Sequence, residues 1–322
     1  MPSSDLAWGR FEERRICERN VQQNSPFGLQ AELPVGPSYG SKLEHEPGTR
    51  LDSRTIWRLM IKDPAKPAVA PSATCSVEQW IGAVHAGDCV ELMNQMPVGS
   101  VDLVVTSPPY NIKNSTGNGL KNGAGGKWSN AALLDGYDGY DDNMPHDLYI
   151  AWQQRCLKAM MRVLREDGAI FYNHKWRVQQ GLWQRLADEI TSDFPVRQII
   201  IWQRKGGFNH NPGYFLPTYE VVYMIAKPNF KLAEKRGGIG DVWTIKQESD
   251  NSHPAPFPVE LAQRCIESTN AKTILDPFIG SGTTAIAAEA AEREWIGIDI
   301  SEDYCRMARE RIAATRRQIE GS

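Results

Sequence analysis

The stretch TSPPYN at residues 106–111 places a hydroxyl, two consecutive prolines and an aromatic ring directly after the apolar run VDLVV at 101–105. Prolines remove backbone donors and fix φ near −65°, so they end strand pairing and stiffen the turn that follows. In an open α/β sheet, ligands bind beyond the carboxyl ends of the strands. The stretch therefore predicts a rigid binding turn at the end of a buried strand.

A second group of chemically informative residues lies in DPFIGSGTT at 276–284. Gly280 and Gly282 allow the backbone to approach a ligand closely, and the two threonines begin a predicted helix whose amide dipoles face that ligand. Asp299 ends the next predicted strand, where a carboxylate can hold both hydroxyls of a ribose. The spacing matches neither the dinucleotide-binding glycine motif nor a P-loop, but the combination predicts a nucleotide-like ligand.

The elements that must position these turns alternate between strand and helix from about residue 75 onward. This alternation predicts an α/β fold, a mostly parallel sheet with helices on both faces. Strands are predicted within 78–88, 101–107, 168–174, 197–204, 219–227, 273–278 and 294–300. Helices are predicted at 89–96, 146–166, 183–190, 258–269, 283–292 and 301–320.

Residues 1–73 differ from the rest of the chain because they are rich in proline, glycine, serine and charged residues. Such a composition favours an arm or linker that is poorly ordered. The early acidic residues and the lack of an apolar segment argue against a secretory signal, and no apolar run approaches the ~20 residues needed to span a bilayer. We therefore expect a cytoplasmic protein with no membrane segment.

The formal net charge of −3 alone gives no indication of a polyanionic partner. Residues 151–240, however, contain 14 lysines and arginines against 7 aspartates and glutamates, a net charge of +7. Such a segment could be the electrostatic footprint of a nucleic-acid binder or a solvated helix face. The six cysteines contain no CxxC pair, which argues against a zinc site and against a disulfide framework. No metal site is predicted.

TSPPYN, FIGSG at 278–282 and GIDIS at 297–301 together resemble the S-adenosylmethionine-dependent DNA amino-methyltransferases, which methylate cytosine N4 or adenine N6. The catalytic motif precedes the cofactor motif, as in the permuted beta group, and HPAPFP at 253–258 is similar to that family's lead-in. The resemblance covers about residues 83–315. It implies a Rossmann-like methyltransferase fold with a circularly permuted motif order, within a domain of residues 74–322.

The resemblance also implies roles for individual residues. The Ser107 side chain and the Pro108 carbonyl would accept hydrogen bonds from the target amine, Pro109 would stiffen the turn, and Tyr110 would stack on a flipped base. S-adenosylmethionine would bind at Asp88, Asp276, Phe278, Gly280, Gly282, Thr283 and Asp299. Asp88 could instead serve only as a helix N-cap. Apart from the resemblance, Phe208, Asn209 and Tyr214 lie near the basic Arg204 and Lys205 and could line the base pocket or DNA channel, or they could only fill a loop. Asn111 is a further candidate for contact with double-stranded DNA.

Sequence specificity is expected from two segments outside the shared core, 111–145 and 231–251. The first is rich in glycine, asparagine and aspartate and has little helix or strand signal, which is typical of a functional loop. The resemblance also allows a cognate restriction endonuclease as a partner that acts on the same DNA site. Neither segment contains a helix-turn-helix from which a target sequence could be read.

Several functions stay open at this stage. Serine at position 107 slightly favours cytosine N4, while adenine N6 remains an alternative because the asparagine of PPYN is frequent among adenine enzymes. Methylation of a protein glutamine or an RNA amine is a rival, although asparagine usually occupies the Ser107 position there. A catalytically silent DNA-binding module with this fold is another. Cytosine C5 chemistry is disfavoured because it commonly uses a Pro-Cys pair, which the chain lacks.

Overall fold

The computed structural model describes residues 76–111, 139, 143–179, 182–204, 212–248 and 257–320, all within one compact unit of residues 50–322. Several sequence predictions lie outside the described residues. They are the arm 1–73, most of the segment 111–145, the end of the segment 231–251, the lead-in residues 253–256, and the substrate candidates Lys205, Phe208 and Asn209.

The described residues contain ten strands and six α-helices. The strands are β1 (Ala83–Ala86), β2 (Val101–Thr106), β3 (Leu164–His174), β4 (Arg177–Gln179), β5 (Leu182–Gln184), β6 (Val196–Gln203), β7 (Tyr219–Ala226), β8 (Val242–Thr244), β9 (Thr273–Asp276) and β10 (Glu294–Asp299). The helices are α1 (Cys89–Gln95), α2 (His146–Val163), α3 (Leu186–Thr191), α4 (Val259–Glu267), α5 (Thr283–Ala290) and α6 (Glu302–Glu320). Short 3-10 turns occupy Val77–Gln79 and Arg236–Gly238.

Eight of these strands form one sheet in the order β1-β10-β9-β2-β3-β7-β6-β8. Within the described sheet, β7 is antiparallel to both of its neighbours and every other pairing is parallel. In β2, Leu103 and Val105 point into one apolar cluster and Val104 points into the other. Helices α4, α5 and α6 pack in the first cluster and α1, α2 and α3 in the second, so both faces are covered. The predicted α/β fold, a mostly parallel sheet with helices on both faces, is confirmed, and the circularly permuted motif order stays a prediction.

The structure departs from the sequence predictions at three places. Residues 182–184 form strand β5, paired with β4 in a hairpin, whereas the sequence pattern placed them in or beside a helix at 183–190. Helix α2 ends at Val163 because Leu164 turns extended and pairs with Val101 of β2. Strand β8 within 231–251 pairs with β6 at the sheet edge. In each case strand pairing decides the structure: β5 pairs with the nearby β4, whereas Leu164 and β8 pair with strands that are distant in the sequence.

No helix of the described residues has the length and apolar character needed to cross a membrane. Within the same residues, no group of three or more histidine, cysteine or acidic side chains is arranged to hold a metal ion. The four described cysteines are free thiols, and the Sγ atoms of Cys89 and Cys156 lie 3.7 Å apart.

Candidate active site

The two chemically informative turns meet at the centre of the sheet. Strands β9 and β2 are direct neighbours in the sheet. After β2 the chain continues to β3 on one side of this pair, and after β9 it continues to β10 on the other side. This change of direction opens the crevice in which open α/β sheets bind ligands. There the Thr106 hydroxyl donates a 2.6 Å hydrogen bond to Oδ1 of Asp276. The strand that precedes the proline turn is thereby joined to the strand that precedes the glycine turn.

Asp276 is the buried centre of this junction, with 1% of its surface exposed. Its carboxylate also accepts a 2.6 Å bond from the Thr284 hydroxyl of α5 and a 3.0 Å bond from the Phe278 amide. Burial raises the pKa of the Asp276 carboxyl to about 6, although the three hydrogen bonds oppose the rise. In this arrangement Asp276 positions the turn, and its expected contact with the methionine end of a cofactor stays a prediction.

Asp299 organises the glycine turn from the end of β10. Its Oδ2 accepts a 2.9 Å bond from the Gly280 amide, and its Oδ1 accepts a 3.0 Å bond from the Ser301 amide. The Asp299 carbonyl accepts a 2.9 Å bond from the Gly87 amide, which ties in the end of β1. The side chain keeps 9% of its surface exposed. Two backbone donors thus orient a carboxylate at the position where the sequence predicts a ribose.

The glycines of the turn adopt backbone angles that side chains disfavour. Gly280 has φ of 50° and Gly282 has φ of 86°. A Cβ atom on Gly282 would also lie 3.2 Å from Cδ1 of Ile312 in α6, so the turn packs closely against that helix. Both positions therefore favour glycine for a physical reason.

The remaining cofactor candidates all have protein partners. Oδ1 of Asp88 accepts 2.9 Å bonds from the amides of Val90 and Glu91, so Asp88 is the N-cap of α1. The buried Thr283 hydroxyl accepts a 3.0 Å bond from Arg311 of α6. The half-buried Phe278 ring meets Trp152 edge-on at 5.8 Å between centroids. Contacts of these three side chains with a cofactor stay predictions.

The two prolines of the catalytic turn present their carbonyls differently. The Tyr149 hydroxyl donates a 2.7 Å bond to the Pro109 carbonyl, and Gln153 donates a 3.3 Å bond to the same oxygen. Within the described part of the chain, no donor reaches the Pro108 carbonyl. Helix α2 therefore fixes the turn through Pro109 and leaves the Pro108 carbonyl available as an acceptor.

A directed hydrogen-bond chain starts at Ser107. The Ser107 Oγ lies 2.7 Å from the Tyr110 hydroxyl, which donates a 3.2 Å bond to Oε2 of Glu220 in β7. Because a carboxylate only accepts, Tyr110 must donate toward Glu220, and Ser107 can then donate toward Tyr110. In this direction the Ser107 oxygen remains an acceptor: the Asn173 amide donates a 3.3 Å bond to it, and a second lone pair is left for the target amine.

Asn173 and Arg204 surround the same carboxylate. The Asn173 amide nitrogen lies 2.8 Å from the Tyr110 hydroxyl, 3.1 Å from Glu220 Oε2 and 3.3 Å from Ser107 Oγ. Arg204 donates a 3.1 Å bond to Glu220 Oε1 in an ion pair. A hydroxyl, an amide, a carboxylate and a guanidinium thus meet at the carboxyl ends of β2, β3 and β6 and the start of β7.

Comparison with known proteins agrees with the motifs. The DNA methylase family N6_N4_Mtase matches residues 101–310, which is more than half of the chain. The chain belongs to this DNA methylase family. It is therefore an S-adenosylmethionine-dependent DNA methyltransferase of the N4/N6 amino-methyltransferase family.

Relatives of the methylase are similar over most of its length. The type II methyltransferase M.BglII of Bacillus subtilis is 27% identical over 272 residues, or 72% of this chain and 69% of the relative. TTHA0409 of Thermus thermophilus, solved with S-adenosyl-L-methionine, is 24% identical with a TM-score of 0.52 and coverage of 72% and 93%. The cytosine-N4-specific PvuII DNA methyltransferase is 19% identical with a TM-score of 0.57 and coverage of 76% and 93%. The two structural likenesses show the fold.

Three substrate candidates of the methylase lie in the described residues besides the catalytic turn. Arg204 joins the hydrogen-bond network of Ser107, Tyr110 and Asn173 through its ion pair with Glu220. Asn111 is buried with φ of 54°. Its side-chain amide exchanges two 2.8 Å hydrogen bonds with the backbone of Met144, which joins the catalytic turn to the residue just before α2. Tyr214 lies in the connection from β6 to β7 and is half-buried. DNA contacts by these residues stay predictions.

The hydrogen-bond network around the catalytic turn also contains residues that sequence reasoning did not select. Asn173 is the penultimate residue of the predicted strand GAIFYNH, and Glu220 is an acid inside the apolar run YEVVYMIA. A polar residue at the carboxyl end of a parallel strand, or an acid within a buried strand, is the signal that could have indicated them. Tyr149 and Gln153 of α2, which hold the Pro109 carbonyl, carry no comparable signal.

Tyr110 is 5% exposed, and two neighbouring side chains pack against its ring. The ammonium of Lys175 lies 4.9 Å from its centroid, and the His174 ring lies 4.9 Å away at a tilt. A base that stacks on the face under the Lys175 ammonium would need to displace that group. Base stacking by Tyr110 therefore stays a prediction, and it requires a rearrangement of the groups that pack against the ring.

Proposed function

We propose that this methylase transfers a methyl group from S-adenosylmethionine to the exocyclic amino nitrogen of a base flipped out of duplex DNA. Cytosine N4 is slightly favoured, and adenine N6 is the alternative. The observation that carries the proposal is the hydrogen bond from Thr106 to Asp276, which sets Ser107 next to the glycine turn. An amine held by Ser107 would then face a methyl donor held by that turn.

The donor set of the glycine turn fits such a cofactor. Gly280 and Gly282 let the backbone come close to a ligand, and Asp299 places a carboxylate beside them, as a ribose with two hydroxyls requires. When bound, S-adenosylmethionine supplies an electrophilic methyl group on a sulfonium sulfur. The protein residues need only hold the amine in line with that methyl group, because proximity and orientation supply much of the rate.

The catalytic turn compensates for the weak nucleophilicity of an aromatic amine. The nitrogen lone pair is delocalised into the ring, and positive charge develops on the nitrogen as it attacks. The Pro108 carbonyl and the Ser107 oxygen would each accept one amine hydrogen and stabilise that charge. The chain from Ser107 through Tyr110 to the Glu220 carboxylate increases the electron density on the serine oxygen. After transfer, the nitrogen releases one hydrogen as a proton.

The identity of the base follows from weaker arguments. Serine at position 107 favours cytosine N4 through the resemblance stated above, and the asparagine at position 111 is frequent among adenine enzymes. The Asn111 side chain is hydrogen-bonded to the Met144 backbone, and this contact does not discriminate between the two bases.

DNA would lie against the edge of the sheet that carries the carboxyl ends of the parallel strands. Arg204 and Lys175 supply positive charge at this edge, within the basic segment 151–240. Extrusion of the base costs a few kcal/mol, which contacts in the pocket offset. Because M.BglII is a type II methyltransferase, we also propose a cognate restriction endonuclease that acts on the same site.

The proposal is tested by incubating the protein with S-adenosylmethionine and unmethylated duplex DNA, followed by nucleoside mass spectrometry. We expect N4-methyldeoxycytidine, or N6-methyldeoxyadenosine if the alternative holds. Methylation-sensitive long-read sequencing of DNA from expressing cells then gives the site. Cofactor binding without any methylated nucleoside would support the silent DNA-binding module instead. Methyl transfer only to RNA or protein would support the other rival.

A further inference from the structure

The Asn173 side chain contains a buried acceptor that the mechanism above does not use. Asn173 lies in β3 beside Ser107 of the catalytic turn, and only 3% of its surface is exposed. Its Oδ1 atom accepts no hydrogen bond from any residue that the structure describes. An unpaired buried carbonyl costs folding free energy, so this atom requires a donor that the described residues do not supply, and a base bound next to Ser107 could be that donor.

The surrounding network fixes which end of the amide is the oxygen. The other end lies 3.1 Å from Oε2 of Glu220, and a carboxylate only accepts, so that end must be the donating nitrogen. Arg204 holds Glu220 through the opposite oxygen at 3.1 Å. The same amide nitrogen lies 3.3 Å from Ser107 Oγ. Glu220 and Arg204 thus act as positioning residues that turn the Asn173 oxygen away from themselves.

Cytosine and adenine each carry one strong hydrogen-bond donor on the base, the exocyclic amine. If the function proposed above holds, this amine is placed at Ser107, beside Asn173. We propose that Asn173 reads the target base by accepting a hydrogen bond from its exocyclic amine. One amine hydrogen faces the Pro108 carbonyl, and the other is shared by Ser107 Oγ and Asn173 Oδ1 in a three-centre bond.

This assignment makes Asn173 a residue that determines base specificity. Thymine, uracil and guanine carry a carbonyl oxygen where cytosine or adenine carries the amine. Two acceptor oxygens would then oppose each other in a buried pocket, which is strongly unfavourable. Asn173 therefore selects amino bases over keto bases independently of the DNA sequence around them.

The test combines a protein variant with a base analogue that lacks the amine. Duplexes with the mapped site carry either the natural target or its amine-free analogue, 2-pyrimidinone for cytosine or purine for adenine. Binding is measured with S-adenosylhomocysteine present, for the wild type and for Asn173→Ala. The amine preference of each protein is its affinity for the natural duplex divided by its affinity for the analogue duplex. The costs of flipping the two bases are the same for both proteins, so they cancel when the two preferences are compared. We expect the amine preference of the wild type to exceed that of Asn173→Ala by about 5- to 10-fold.

Two further variants make the result specific. In the double variant Asn173→Asp with Glu220→Gln, the amide and the carboxylate are exchanged, so an acceptor oxygen remains at position 173 and the net charge is unchanged. This variant should retain the amine preference. Asn94→Ala, at an exposed position of α1, serves as a control that keeps wild-type behaviour. Unchanged cofactor affinity shows that each variant is folded.

Equal amine preference in the wild type and Asn173→Ala, with methylation intact in the wild type, would overturn the assignment while leaving the proposed function in place. Wild-type protein that transfers no methyl group to DNA would instead overturn the proposed function, and this assignment with it.

Discussion

Thr106 and Asp276 are 170 residues apart in the chain, yet the Thr106 hydroxyl donates a 2.6 Å hydrogen bond to the Asp276 carboxylate. Thr106 is the last residue of β2 before the catalytic turn, and Asp276 is the last residue of β9 before the glycine turn. One buried carboxylate therefore fixes the position of the catalytic turn relative to the glycine turn. The same carboxylate links both turns to α5 through Thr284.

The raised pKa of Asp276 predicts a specific dependence of stability on pH. Its native pKa of about 6 lies above the ordinary value of 3.8, so between these values the native state binds more protons than the unfolded state. This group's contribution is therefore fully present below about pH 4 and is lost as pH rises through about 6. Relative to Asp276→Asn, the wild type should lose on the order of 2–3 kcal/mol of stability across this window.

Urea unfolding at several pH values between 4 and 7 measures this difference. The exposed Asp193→Asn serves as the control for the substitution itself. A difference between wild type and Asp276→Asn that is constant over the window would refute the buried-carboxylate explanation.

Asp299 should contribute directly to cofactor affinity if its carboxylate holds a ribose. Asp299→Ala is expected to weaken S-adenosylmethionine binding by about 1.5–3 kcal/mol for each charge-assisted bond lost. Asp299→Ala also removes the acceptor of the Gly280 amide, so Asp299→Asn, which can keep that bond, should show a smaller loss. Isothermal titration measures both, with the exposed Asp303→Ala as control. Unchanged affinity in Asp299→Ala would remove this residue from the cofactor site.

The sequence allowed both turns to be predicted because each leaves a local signal. Consecutive prolines end strand pairing, and glycine is favoured where φ is positive, as at Gly282. The fold class followed from the same kind of signal, the alternation of strand and helix patterns. The hairpin at β4 and β5 was mispredicted because pairing of Val178 with Trp183 decides the structure there.

Asn173 and Glu220 could not be assigned to the site from sequence, because their contact depends on strand order and register. Strand β7 lies antiparallel beside β3, with Asn173 opposite Val222. Glu220 is two residues away from Val222 on the same face of the strand, which brings its carboxylate to the Asn173 amide. A register shift of one residue would place Glu220 on the opposite face.

Binding to duplex DNA should depend steeply on salt if the basic segment 151–240 contacts phosphates. Each neutralised phosphate adds about 0.9 to the slope of log affinity against log salt concentration. Lys175→Ala and Arg185→Ala should each lower that slope by about one if the residue contacts a phosphate. Fluorescence anisotropy at several salt concentrations measures the slope. Affinity that does not change with salt would show that these charges only solvate the surface.

Tyr110 combines two roles that separate substitutions can distinguish. Tyr110→Phe keeps the ring but removes the hydroxyl that directs Ser107 toward Glu220, so it should lower kcat and leave base flipping nearly unchanged. Tyr110→Ala should in addition lose about 1–3 kcal/mol of stacking in DNA binding. Flipping is followed with 2-aminopurine at a target adenine or with a fluorescent cytosine analogue. Identical behaviour of the two variants would refute the separation of roles.

The central claim is that the TSPPYN turn accepts hydrogen bonds from the target amine during methyl transfer. The most direct measurement is the single-turnover rate of Ser107→Ala with saturating S-adenosylmethionine and a duplex that contains the mapped site. We expect the rate to fall about 10²- to 10³-fold, as for the loss of one preorganised electrostatic partner, with cofactor affinity nearly unchanged. A near-normal rate would contradict the claim, and the two prolines would then serve only to end strand β2.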